Sequence, residues 1–111
     1  MRYYKRKNFL QLKPGVIYSN NYVGFCVKLE TIIDKNGNAC DFFYKRLTII
    51  EFECFVDLLE NQKDSIENGT SYPMNSLQER DGFFDDSRVF IVFERSDLEQ
   101  LEMYICHAKS I

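Results

Sequence analysis

From Tyr22 to Ile33 the chain alternates: Val23, Phe25, Val27 and Leu29 are apolar, and Gly24, Cys26, Lys28 and Glu30 between them are small or polar. Successive side chains of an extended strand point to opposite faces, so this is the pattern of a strand with one buried face. Asp34-Lys35-Asn36-Gly37-Asn38 comes next. Asn-Gly tolerates the positive φ of a tight reversal, which predicts a hairpin whose second strand runs from Ala39 to about Leu47. A hairpin with one apolar face must cover that face, and the rest of the chain has to supply the cover.

Two amphipathic stripes are the evident covers. Thr48 and Glu51 form a capping-box pattern, and Ile49, Phe52, Phe55, Val56 and Leu59 succeed them at helical spacing, with Glu53, Asp57 and Glu60 on the opposite side. The polar stretch from Asn61 to Thr70 reads as a turn-rich linker that ends this helix. Ser96 and Glu99 repeat the box, and Leu98, Leu101, Tyr104, Ile105 and Ala108 repeat the stripe at an offset of 49 residues. Burying five such side chains contributes about 10 kcal/mol gross, against ~1 kcal/mol for a cap, so packing decides where these helices lie. Between them, Ser71–Leu77 contains Pro73 and reads as a weak edge strand. Arg88–Arg95 holds Val-Phe-Ile-Val-Phe, the unbroken apolar run of a central strand.

These elements predict an α+β fold: a single domain over residues 1–111, a two-layer sandwich with a mostly antiparallel sheet of four to five strands and two helices packed on one face. Residues 1–12 read as a basic arm or an edge strand. A length of 111 residues with 45% hydrophobic content suits one folded core and excludes a disordered chain. No stretch reaches the roughly 18 apolar residues of a membrane span. The residues after Lys5-Arg6-Lys7 lack the apolar core of a signal peptide, so a soluble cytoplasmic protein with no membrane partner is expected. Cys26, Cys40, Cys54 and Cys106 have no Cys-x-x-Cys spacing and are expected to stay reduced.

The order of elements, carried by Gly15-Val16-Ile17, Thr48-Ile49-Ile50-Glu51-Phe52, Tyr72-Pro73-Met74 and Val89 to Leu101, resembles a family of small uncharacterised bacterial proteins. That family carries a Cys-x-x-Cys in its first hairpin. Here Ser19 to Tyr22 stand in that place, so a metal or redox role does not follow from the resemblance.

Charge divides the chain. Residues 1–46 hold nine basic and three acidic residues, a net of +6, and residues 47–111 hold five basic and fourteen acidic ones, a net of −9, which together give −3. With one histidine, His107, and no glycine-rich phosphate loop or nucleophile elbow, no catalytic group, cofactor site or metal site is assigned. His107 reads as a residue of the last helical turn, where partial positive charge suits the carbonyl end.

Two candidate contact sets remain. Phe83, Phe84, Asp85 and Asp86 pair aromatics with charges in the manner of a protein-contact loop. Arg2, Tyr4, Lys5, Arg6 and Lys7, with Lys28, Lys45 and Arg46 of the hairpin, combine rings with positive charge as single-stranded nucleic acid binding requires, although the pI near 5.1 argues for the first set. A divalent-metal site at Glu79, Asp81, Asp85 and Asp86 ranks third, because the loop lacks the alternating ligands of a calcium hand. The leading expectation is a non-enzymatic module that binds a protein partner, or a second copy of itself, through complementary charged surfaces. RNA or single-stranded DNA binding through the N-terminal arm is the alternative.

Overall fold

The computed structural model describes residues 1–19 and 24–111. Among these the elements run β1 (Arg2–Lys5), α1 (Arg6–Phe9), β2 (Ile17–Ser19), β3 (Cys26–Ile33), β4 (Ala39–Arg46), α2 (Phe55–Asn68), β5 (Gln78–Arg80), β6 (Val89–Val92) and α3 (Arg95–Lys109). The fold is α+β with one open, antiparallel, six-stranded sheet in the order β1-β6-β2-β3-β4-β5. Six strands and three helices replace the expected four to five and two. The surplus elements are the short α1 and β2, too brief to show a period in the sequence, and the edge strand expected over Ser71–Leu77 is replaced by β5, with only an isolated Ile50–Met74 bridge in the expected segment.

The hairpin forms as its turn chemistry predicts. Asp34 Oδ1 accepts the amide N–H groups of Asn36 at 2.9 Å and Asn38 at 3.0 Å, and Gly37 takes a φ of 82°. The expected start of β3 at Tyr22 and Val23 falls outside the described residues. β1 is an edge strand paired with β6, and β6 lies between β1 and β2, the inner position that its apolar run predicts.

The core forms on the face that carries Tyr4, Tyr18, Cys26, Phe42, Phe90 and Val92, closed by Phe9 and Leu10 of the α1 region. The Phe9 ring stacks on Phe90 at 4.1 Å and meets Tyr18 and Phe42 edge-on at 4.8 and 5.2 Å, the offset and T-shaped geometries that ring quadrupoles favour. Lys28 is fully buried in this same layer. Its Nζ donates to the Leu12 carbonyl at 2.8 Å and to Thr31 Oγ1 at 2.7 Å, and burial pushes its pKa down.

Both predicted caps move. Thr48 Oγ1 accepts the Phe25 amide N–H at 2.9 Å, which ties the end of the hairpin together and leaves Thr48 outside any helix. Ile49 and Phe52 therefore precede α2, in an arm where Glu51 and Asn75 bond across to Pro73 and Ile49. α2 begins at Phe55, runs through the expected linker, and ends at Gly69, whose φ of 71° is the left-handed C-cap conformation. In α3 the box comprises Glu94 and Asp97, two residues ahead of Ser96 and Glu99, with Asp97 Oδ2 accepting the Glu94 amide at 2.8 Å. With the helices 14 and 15 residues long but beginning at positions 55 and 95, the 49-residue offset of the stripes does not carry into the elements.

The largest departure concerns the cover. No residue of α2 or α3 is buried, so the expected layer of two packed helices is not formed. The spacing of a stripe shows that a helix has something to bury, but not which surface buries it.

Candidate interaction surface

The acidic loop after β5 is held down by arginines. Arg88 makes a forked pair with Asp81, Nη1 to Oδ2 at 2.5 Å and Nη2 to Oδ1 at 3.0 Å, a planar fit of guanidinium to carboxylate. Arg80 Nε donates to Asp41 Oδ2 at 2.6 Å. Asp41, fully buried, also accepts the Phe42 amide at 2.9 Å and the Gly82 amide at 3.1 Å. Burial by itself raises this carboxyl's pKa, but Arg80 and the two amides outweigh it and hold the group below the ordinary aspartate value. Arg46 makes a second forked pair with Glu79, at 2.7 and 3.1 Å.

The two candidate contact sets meet at this loop. Arg6 is buried, donates to the Cys40 carbonyl, lies 3.5 Å from Asp86 and sits 5.4 Å from the centre of the Phe84 ring. Phe83 lies 5.3 Å from the Arg88 guanidinium in the same way. Phe83 and Phe84 are exposed, each with a face on an arginine, and Asp85 accepts from the amide and hydroxyl of Ser87 at 2.9 and 2.6 Å. Of the N-terminal set, Arg2 stacks on Tyr4 at 4.8 Å, Tyr4 rests against the core, and Lys5 and Lys7 are exposed. The basic and aromatic residues thus divide between core and surface, and do not form one groove. Glu79, Asp81 and Asp86 each face an arginine, and among the described residues no three His, Cys, Asp or Glu side chains converge as metal ligands. Sequence pattern alone does not single out Arg80, Arg88 or Asp41. The only trace of them there is an arginine at either end of an acidic loop.

A second surface is apolar and open. The sheet face opposite the core carries Ile17, Val27, Phe43 and Ile91, all half-buried, with Lys45 registered beside Val27. α3 lies over this face without closing on it. Ile17, Phe25 and Leu47 on one side and Leu98, Tyr104 and Ile105 on the other enclose an open groove of about 430 Å³. α2 stands on its arm with Leu58 and Ile66 lining an open cavity against Ile49, Ile50 and Tyr72, while Phe55, Val56 and Leu59 face solvent. Phe55 is 69% exposed, Ile66 79% and Tyr104 62%.

No protein-family model, curated protein or solved structure matches the chain. No helix among the described residues is long and apolar enough to cross a membrane.

Proposed function

We propose that the protein is a non-enzymatic binding module whose work is to hold another polypeptide against α2, α3 and the open sheet face. One observation carries this reading: two helices with well-formed apolar stripes bury none of their residues within the chain. Phe55, Val56, Leu59 and Ile66 on α2 and Leu98, Tyr104 and Ile105 on α3 are each only partly covered. Each helix therefore has several kcal/mol of gross burial still to gain, at about 2 kcal/mol per fully buried side chain, and an exposed apolar area of this kind marks a protein-contact surface. The charges beside it support specificity. α2 carries Asp57, Glu60, Asp64 and Glu67 against one Lys63, and the N-terminal half of the chain is basic, so opposite potentials are available to steer encounter.

Affinity capture with the full chain tests the reading. The unaltered protein is expected to retain a polypeptide, its own second copy included, and Leu59→Glu on the exposed side of α2 is expected to lose it. Raising salt from about 0.05 to about 0.5 M, roughly a threefold shortening of the screening length, should slow association. If the chain is monomeric and nothing it captures depends on Leu59, the reading fails.

A further inference from the structure

The three surfaces that the sequence marks as apolar are those the single chain leaves uncovered. The odd-numbered face of β3 and its neighbours, Phe25, Val27 and Leu29, is half-buried, while Cys26 and Lys28 between them are buried. The stripe of α3 faces this surface across an open groove. On α2, Phe55 and Leu59 face solvent, and Ile66, at the cavity beside the arm, is also largely exposed. Among the described residues, one chain thus holds an apolar groove lacking an occupant and an apolar helix lacking a groove.

The magnitude of the uncovered surface agrees. A folded monomer of 13.2 kDa exposes about 6,400 Å², and this chain exposes 8251 Å². The excess is about 1,800 Å², so two copies that each removed it would bury about 3,600 Å² together, within the 2,000–5,000 Å² range of permanent dimers. The Cα radius of gyration, 16.4 Å, likewise exceeds the ~13 Å of a compact chain this long.

Resting on the binding reading, we propose that the occupant is a second copy of this chain: α2 of each protomer seats its Phe55, Leu59 and Ile66 stripe in the α3–sheet groove of the other. A twofold arrangement satisfies both needs at once, because each copy gives a helix and receives one. An unrelated partner would have to supply both a helix for the groove and a groove for the helix. The charges fit the same arrangement. By helical spacing Lys63, Glu67 and Glu60 all lie along one edge of the α2 stripe, so that edge offers both signs of charge, while Lys45 neighbours Val27 on the open sheet face and Glu102 lines the helix side of the groove.

Sedimentation equilibrium on the full chain, with single and mixed variants, tests this. The unaltered protein should sediment at twice 13.2 kDa. Leu59→Glu on α2 and Ile105→Glu on α3 should each raise the dimer dissociation constant about thirtyfold or more, the scale of an interface hot spot. Both side chains are exposed in the single chain, so the circular dichroism of the fold should be retained. The decisive sample is the mixture. A pair made of one Leu59→Glu chain and one Ile105→Glu chain retains one undamaged helix-in-groove contact, so mixing should restore association that neither variant shows alone. Variants that dimerise normally, or a mixture that stays monomeric, overturn the pairing of α2 with the groove. A monomeric wild type that still captures another polypeptide through Leu59 overturns the second copy and leaves the binding reading standing, whereas a monomer with no such capture overturns both.

Discussion

At the scale of single residues, Asp41 is the most demanding position in the fold. Its buried carboxylate has to serve the Arg80 guanidinium and the amides of Phe42 and Gly82 together. Asn in its place has one acceptor oxygen and no charge, so Asp41→Asn is expected to cost about 2 kcal/mol. The figure lies below that of a fully buried pair because Arg80 is half exposed and water takes up part of its loss. The pH dependence has a definite sign. Asp41 is held below its ordinary value of 3.8, so its contribution is complete above that value and is lost as pH falls through the lower folded-state value. Thermal unfolding of the two proteins should thus show a constant gap at neutral pH that narrows below pH 3.8, and a gap unchanged in strong acid would refute the assignment. Nothing in the sequence announces this residue. Arg80 lies 39 positions along the chain, and only the pairing of β4 with β5 brings the two together. Lys28 is hidden for the opposite reason: in a period-two pattern it belongs to the polar set, but three carbonyl and hydroxyl oxygens within 3.5 Å accept its ammonium group inside the core.

Among the elements, what is local in the sequence is local in the structure. Asn36-Gly37 makes its turn, the apolar run after Arg88 makes an inner strand, and His107 lies in the last turn of α3. The start of α2 departs from its pattern because Thr48 has a competing use: its hydroxyl bonds the Phe25 amide, 23 residues away, and the capping pattern gives way to that tertiary contact. The end of α2 departs in the other direction. Asn61 to Asn68 is polar but contains no helix breaker, and the stop comes only at Gly69, whose amide donates to the Ser65 carbonyl at 2.9 Å. A methyl group added at Gly69 meets nothing within 4 Å, so Gly69→Ala exposes the cost of the left-handed backbone alone. That cost is about 1 kcal/mol, or about 4 °C in melting temperature for a chain of this size. Gly69→Asn should recover part of it, since Asn enters the left-handed region more readily. Equal losses for the two variants would mean that side-chain contacts, and not the C-cap, govern the position.

For the whole molecule, the two-layer expectation rests on a correct premise and a hidden assumption. The stripes on α2 and α3 do require a cover, but the expectation takes one chain both to need it and to provide it. A sequence records the apolar periodicity of each surface and not what meets it, so an uncovered stripe is legible as a demand and its cover is not. The split of charge between basic and acidic halves has the same status: it describes two surfaces, and the fold places the acidic side chains Glu60 and Glu67 of α2 outside while Lys45 stays on the open sheet face. If the surface excess is removed by association in the native state, folding and association become one equilibrium, and stability depends on concentration. Each tenfold dilution of a dimer that unfolds to two chains lowers its stability by about 1.4 kcal/mol, and a chain of this length then melts about 3 °C lower. Calorimetry or circular dichroism melts between about 2 and 200 μM, two decades of concentration, should accordingly spread over about 6 °C. Under the same conditions Leu59→Glu should melt at one temperature throughout, because its chains unfold singly. A wild-type melt independent of concentration would show that the exposed helices are stable without a second copy, and the excess surface would then need another explanation.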